Sequence, residues 1–149
     1  MKIEKFNIRV YGILQNEINE VLVCDEDRFG MHFTKFPGEG LELGEGLVEG
    51  LIREWKEELD TTIKVMGHIY TTDFFQPSAF NPSDQIISVY YSVQLNTPLQ
   101  HSISTKPFDF PEDQNERLCF RWVMMDDALL NQLTFPIDKL VVQKFLLKR

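Results

Sequence analysis

A glycine-punctuated loop, Gly38-Glu39-Gly40-Leu41-Glu42-Leu43-Gly44-Glu45, passes directly into a strongly patterned segment from Gly46 to Asp60. Leu47, Val48, Leu51, Ile52, Trp55 and Leu59 recur with a 3.6-residue period. At ~100° per residue they sweep an arc of about 140°, which predicts an amphipathic helix with these side chains on its inner side. Glu54, Glu57 and Glu58 stand at i, i+3 and i+4, so their carboxylates project from one side of that helix. Like charges so placed cost roughly 0.2–0.5 kcal/mol per pair in an isolated helix. A divalent cation would turn the repulsion into attraction, and hard cations such as Mg²⁺ prefer oxygen ligands. Gly46 and Gly50 fall on the glutamate side, where each glycine costs roughly 0.8–1 kcal/mol against alanine. Their presence predicts a close neighbour there, a loop or a ligand. The same spacing also admits a solvated helix laced by Glu49–Arg53, Arg53–Glu57 and Lys56–Asp60 pairs at i, i+4.

Residues 39–61 resemble the Nudix box, the loop-helix-loop signature of the Nudix (MutT-like) hydrolases. Its pattern is Gly, five residues, Glu, seven residues, Arg-Glu, an apolar residue, any residue, Glu-Glu, any residue, Gly, apolar. Glu45, Arg53, Glu54, Trp55, Glu57 and Glu58 fall at the specified places, whereas Glu39, Asp60 and Thr61 depart from it. Glu39 in place of the first glycine predicts backbone strain in the loop. Asp60 in place of the second predicts a left-handed helix stop that aspartate tolerates.

The resemblance implies an α/β/α sandwich with a mixed β-sheet. It also implies hydrolysis of the pyrophosphate bridge in a nucleoside diphosphate linked to another moiety, dependent on Mg²⁺ or Mn²⁺. By position, Glu54, Glu57 and Glu58 are the implied metal ligands, joined by the backbone carbonyl of Gly38. Arg53 is the implied orienting residue, with Glu45 as its partner. The general base stays open among Glu54, Glu57, Glu112 and Glu116; Glu116 would share a strand face with Leu118, Phe120 and Trp122. Pro77 lies 16 residues past Thr61, about where ADP-ribose-type members carry a proline. That offset leans the substrate toward ADP-ribose or another NDP-sugar. A nucleoside triphosphate is the close alternative, and a non-catalytic nucleotide-binding module or an interaction domain with a decayed site are the others. Phe74, Phe75, Phe80 and Tyr91 are candidates to stack on a base or ribose, and Arg9 and Lys35 to meet a phosphate or carboxylate. The implied partner is a small-molecule nucleotide, and the family also admits a homodimer.

A net charge of -8 and a pI near 4.8 argue against non-specific binding to nucleic acid or an anionic membrane. An acidic protein acting on a phosphorylated ligand needs cations to offset the repulsion, in agreement with the glutamate face. Cys24 and Cys119 lack a Cys-x-x-Cys spacing and read as small core residues in a reducing compartment. Lys2, Glu4, Lys5 and Arg9 interrupt the start, so it lacks a signal-peptide apolar core, and no apolar run is long enough to span a bilayer. The expected location is the cytoplasm. The 149 residues are expected to form one domain.

Along the chain, residues 6–14 and 20–24 read as paired strands around a turn near Gln15-Asn16. Asp25-Glu26-Asp27-Arg28-Phe29-Gly30 reads as a solvated hairpin tip, and 31–36 as a short strand. After the helix, residues 62–74 have β character and 75–84 form a loop. Residues 85–95, with Ile86-Ile87-Ser88-Val89-Tyr90-Tyr91, suit a central strand buried on both faces. A loop is expected over 96–115, a strand over 116–124, a short helix over 125–133 and an amphipathic helix over 136–147 opened by Pro136.

Overall fold

The computed structural model describes residues 2–112 and 117–147. Its middle layer consists of two sheets. One has the order β4 (Gly38–Gly40), β1 (Lys5–Leu14), β6 (Asp84–Leu95), β5 (Ile63–Thr71), with β1 parallel to β6 and the other pairs antiparallel. The second, antiparallel sheet has the order β3 (Met31–Lys35), β2 (Glu20–Arg28), β7 (Arg117–Met124). Strand side chains alternate between two cores. Val10, Leu14, Leu22, Cys24, Val93 and Phe120 meet Leu51, Trp55 and Leu59 of α1 (Leu47–Leu59) on one side. Tyr11, Ile13, Val21, Val23, Tyr90 and Val123 meet Leu129, Leu133, Ile137 and Val141 on the other. Those last residues belong to or border α2 (Asp127–Gln132) and α3 (Pro136–Val141). The fold is therefore mixed α/β, with strands between helices, as the order of elements predicts.

Two expectations about the first strands are corrected. β1 and β2 are not a paired hairpin: beyond one bridge between Gln15 and Val21 they enter different sheets. The second half of β1 and most of β2 are buried on both faces, and both strands take their ladder partners from later strands. The connection is closed by Asn16, whose Oδ1 accepts from the amides of Ile18 (3.2 Å) and Glu20 (2.9 Å). Nor is Asp25–Asp27 a solvated tip. β2 runs on to Arg28 with Asp25 and Glu26 buried, and the turn falls at Phe29-Gly30, both at positive φ. Burial of Asp25 is possible because Arg121 of β7 donates Nε to Oδ2 (2.7 Å) and Nη2 to Oδ1 (3.2 Å), and the Thr34 hydroxyl donates to Oδ1 (2.6 Å).

Within α1, Leu51, Trp55 and Leu59 are buried as the period predicts, while Val48 at the helix start is 41% exposed. Trp55 lies so close to β1 that a Cβ on Gly12 would come within 2.9 Å of its indole nitrogen. Asp60 stops the helix in the left-handed conformation (φ 49), its N–H bonding to the Lys56 carbonyl at 3.1 Å. Glu39, in contrast, sits in β4 opposite Val10, outside the left-handed region, so the expected strain is absent. The glycine-requiring position is Gly38 (φ 151), where a Cβ would meet the Val10 carbonyl oxygen at 2.1 Å.

The helices on the far side are shorter than expected. Asp126 caps α2 by accepting from the Ala128 amide (2.9 Å). α3 gives way after Val141 to a π-helical turn, Val142–Leu146, that buries Val142 and leaves Phe145 against Tyr70. Among the described residues no helix is long and apolar enough to cross a membrane.

Candidate active site

The glutamates of α1 open onto an acidic cleft of about 600 Å³. Glu54, Glu57 and Glu58 line it, together with Glu39 from β4 and Glu26 and Asp27 from β2. The loop before the helix is held by one arginine. Arg53 donates Nε to Glu45 Oε2 (2.8 Å) and Nη2 to Glu45 Oε1 (2.7 Å). Its Nη1 donates to Glu54 (2.6 Å) and to Glu57 (3.1 Å). Glu45 also receives the Glu42 amide (2.9 Å), and its carboxyl is held down at about 2, chiefly by Arg53. Gly50 makes this contact possible, since a Cβ there would meet Leu41 at 2.7 Å and Glu45 at 2.9 Å. The neighbour expected beside that glycine is thus the loop. Of the three expected helix pairs, Arg53–Glu57 and Lys56–Asp60 (2.8 Å) form, whereas Glu49 turns back to accept from the Gly46 amide (3.1 Å).

The three carboxylates expected to act together are not equivalent. Glu54 is buried and Glu58 half-buried, and their oxygens lie with one of Glu39 all within 4.8 Å of one another. Glu57 is 59% exposed and engaged by Arg53. Burial, followed by the bond to and charge of Glu54 and the charge of Glu39, pushes the Glu58 carboxyl up to about 9, against the pull of Lys35. Its Oε2 is buried without a hydrogen-bond partner among the described residues. An all-oxygen donor set with such an atom fits a hard divalent cation.

Lys35 forms the wall behind this cluster and is only 3% exposed. Its ammonium donates to the Gly38 carbonyl (2.6 Å) and lies 3.5 Å from Glu26 Oε1 and 5.6 Å from the Tyr11 ring centre. Burial opposes its charge, but Cys24, Glu26, Tyr11 and Glu58 together overcompensate and hold the pKa above that of a free lysine. The Gly38 carbonyl therefore already accepts one cation.

Beyond Glu26, Arg28 and Phe29 the cleft adjoins a cavity of about 220 Å³. Phe29, Phe33, Phe80 and Phe135 cluster along it, with ring centres 5.2–6.0 Å apart. Arg9, Lys35, Tyr90 and Asp138 supply its polar side. Arg9 Nε donates to the Tyr11 hydroxyl (2.6 Å), and the Tyr90 hydroxyl to Asp138 Oδ1 (2.5 Å).

Among the substrate-binding candidates, Arg9, Pro77 and Phe80 line this cavity. Phe74 and Phe75 line neither space and stay exposed, Phe75 at 58%. Tyr91 packs edge-on against His68 on the α1 side. Glu112 is exposed and away from both spaces, and Glu116 lies outside the described residues. Phe29, Phe33, Phe135 and Asp138 were not anticipated. Phe29 sits in a polar turn, and Phe135 directly before the helix-opening Pro136, so local pattern marked neither as a cavity wall.

The NUDIX domain family model matches residues 5–145. No curated protein matches the sequence. The fold superposes on the MutT protein from Methanosarcina mazei Go1 with a TM-score of 0.71 at 19% identity, over 97% of this chain and 95% of that one. It superposes on the E. coli ORF135 protein at 0.69 and 15% identity, over 95% and 88%. An ADP-ribose pyrophosphatase from Streptococcus suis gives 0.59 at 14% identity, over 91% and 88%. With a family match spanning nearly the whole chain and the box glutamates Glu54, Glu57 and Glu58 gathered on one cleft, this chain belongs to the NUDIX family.

Proposed function

We propose that this protein hydrolyses the pyrophosphate bridge of a nucleoside diphosphate joined to a further moiety, ADP-ribose or another NDP-sugar, with Mg²⁺ or Mn²⁺. The observation that carries this reading is the junction of an acidic cleft with an aromatic cavity across Glu26, Arg28 and Phe29. The cleft suits cations and the diphosphate they neutralise, and the aromatic cavity suits a base or ribose. An ADP-ribose pyrophosphatase among the structural relatives and Pro77 on the cavity wall support the same substrate class.

In this reading Glu54 and Glu58 would hold the cation, with Glu57 and the Gly38 carbonyl as the further family positions. A bound divalent ion supplies phosphate neutralisation and a more acidic water. Arg53 keeps Glu54 and Glu57 in place, and Glu45 keeps Arg53 in place. Glu57, exposed to solvent and held by Arg53, takes the proton from the attacking water. Arg9 and Lys35 put positive charge on the wall of the aromatic cavity, suited to a phosphate or carboxylate on the portion of the substrate held there. The cytoplasm belongs to the same reading, since Cys24 and Cys119 are both free and buried.

A panel of ADP-ribose, NDP-sugars, deoxynucleoside triphosphates and dinucleoside polyphosphates with Mg²⁺ or Mn²⁺ tests it. Metal-dependent release of AMP from ADP-ribose is expected. Pyrophosphate from a triphosphate would reassign the substrate, and binding without turnover would make the protein a nucleotide-binding module.

A further inference from the structure

Glu39 occupies the place where the box pattern has glycine, and its side chain enters the acidic cleft. We infer that Glu39 is a direct ligand of the divalent cation, an acid contributed by β4 in addition to those of the helix; the inference rests on the metal-dependent reading above.

Backbone geometry permits it. The conformation that demands glycine is confined to Gly38, and Glu39 follows in an ordinary strand position opposite Val10. The carboxylate is thereby aimed at the helix, where one oxygen each from Glu39, Glu54 and Glu58 lies within 4.8 Å of the others. The buried Oε2 of Glu58, which has no hydrogen-bond partner among the described residues, belongs to the same cluster of acids and suits a cation there once the carboxyl is deprotonated. Glu57, by contrast, is turned toward Arg53 and solvent.

The neighbours of Glu39 leave it available. Its one ion pair among the described residues is with Arg28, at 3.5 Å, too long for a good hydrogen bond. Arg28 is itself 39% exposed, so this contact is weak. Arg9 adds a longer-range attraction without an ion pair among the described residues, so a cation held among Glu39, Glu54 and Glu58 supplies direct compensation that the protein does not.

The test is a Mn²⁺ titration of the whole chain without nucleotide, with free Mn²⁺ read by electron paramagnetic resonance. Thermal melts of Glu39→Gln and Glu39→Gly check that each variant is folded. Both should bind Mn²⁺ at least about tenfold more weakly than the wild type. Glu39→Asp should lose less than either, and Arg28→Gln should show no loss. Wild-type affinity in folded Glu39→Gln, or an equal loss in Arg28→Gln, overturns the assignment while leaving the metal-dependent reading intact. Absence of Mn²⁺ binding by the wild type overturns both.

Discussion

Arg53 grips Glu45 through two parallel N–H···O bonds of 2.8 and 2.7 Å, although one residue lies on the helix and the other in the loop before it. The remaining nitrogen of the same guanidinium reaches Glu54 and Glu57. One side chain therefore fixes both the path of the loop and the orientation of two cleft carboxylates. An ammonium offers no planar fork and reproduces at most part of this set.

Arg53→Lys is accordingly expected to lower kcat by about 10–100-fold while leaving the fold cooperative. The acid limb reports the same contact. Glu45 is held at about 2 against an ordinary 4.5, so its contribution to stability is present above 4.5 and is lost as pH falls toward 2. Melts between pH 2 and 5 should show a shallower loss in Arg53→Lys than in the wild type. Identical slopes would detach Glu45 from Arg53 in solution.

Glu57→Gln tests the proton acceptor. Glu57 is exposed and packs in neither core, so the substitution should leave the melting temperature within a degree or two. Metal-dependent turnover should fall by about 10²–10⁴-fold, the usual worth of a positioned base. A variant with near-normal kcat would take the assignment away from Glu57.

Glu58 makes cation binding pH-dependent. Its proton is retained up to about 9 in the metal-free fold, against 4.5 for a free glutamate. The group's contribution to stability is thus full below 4.5 and is lost as pH rises through about 9. A cation must displace that proton, so Mn²⁺ affinity should climb between pH 6 and 8 by up to about tenfold per pH unit. Glu58→Gln should abolish the climb, which calorimetric titrations at pH 6, 7 and 8 would register. A flat wild-type profile contradicts the prediction.

The buried pair of Asp25 and Arg121 sets up a stability test away from the chemistry. Arg121→Leu leaves Asp25 buried without its cation, which costs about 3–5 kcal/mol. The double variant Asp25→Leu/Arg121→Leu should recover most of that, because the uncompensated charge is gone. Urea unfolding of the two variants decides the matter; equal destabilisation would mean that the pair's worth lies in packing.

That pair also shows where sequence reading ends. Arg53, Glu54 and Glu57 are legible because helical spacing places them, and the loop to Glu45 is only a few residues longer. Asp25 finds its partner 96 positions away, across a sheet. The local string Asp-Glu-Asp-Arg-Phe-Gly carries every polar sign of an exposed turn, and nothing in it announces Arg121. The false pairing of β1 with β2 has a similar origin. Two apolar runs around Asn16 look like a hairpin, but β6 and β7 supply the ladders that draw them apart. Glu39 was visible as a departure from the box, yet its entry into the cleft depends on β4 pairing with β1. Aromatic residues were the least legible: Phe29 and Phe75 differ little in local setting, and the tertiary course of their turns decides which one meets the cavity.

Asp138 offers the last test, on the cavity floor. Burial pushes its carboxyl from an ordinary 3.8 up to about 6, against the opposing pull of the Tyr90 hydroxyl, Lys35 and Arg9. The stability it contributes is full below 3.8 and disappears as pH rises through about 6. That span is worth roughly 3 kcal/mol, the cost of carrying a buried charge at neutral pH. Asparagine keeps an oxygen for the Tyr90 hydroxyl and cannot ionise. Melts of wild type and Asp138→Asn from pH 4 to 8 should therefore diverge, the variant gaining on the wild type between pH 4 and 7 and running parallel above. Curves that stay parallel throughout would mean that Asp138 titrates as it does in the unfolded chain, and that water reaches the cavity floor.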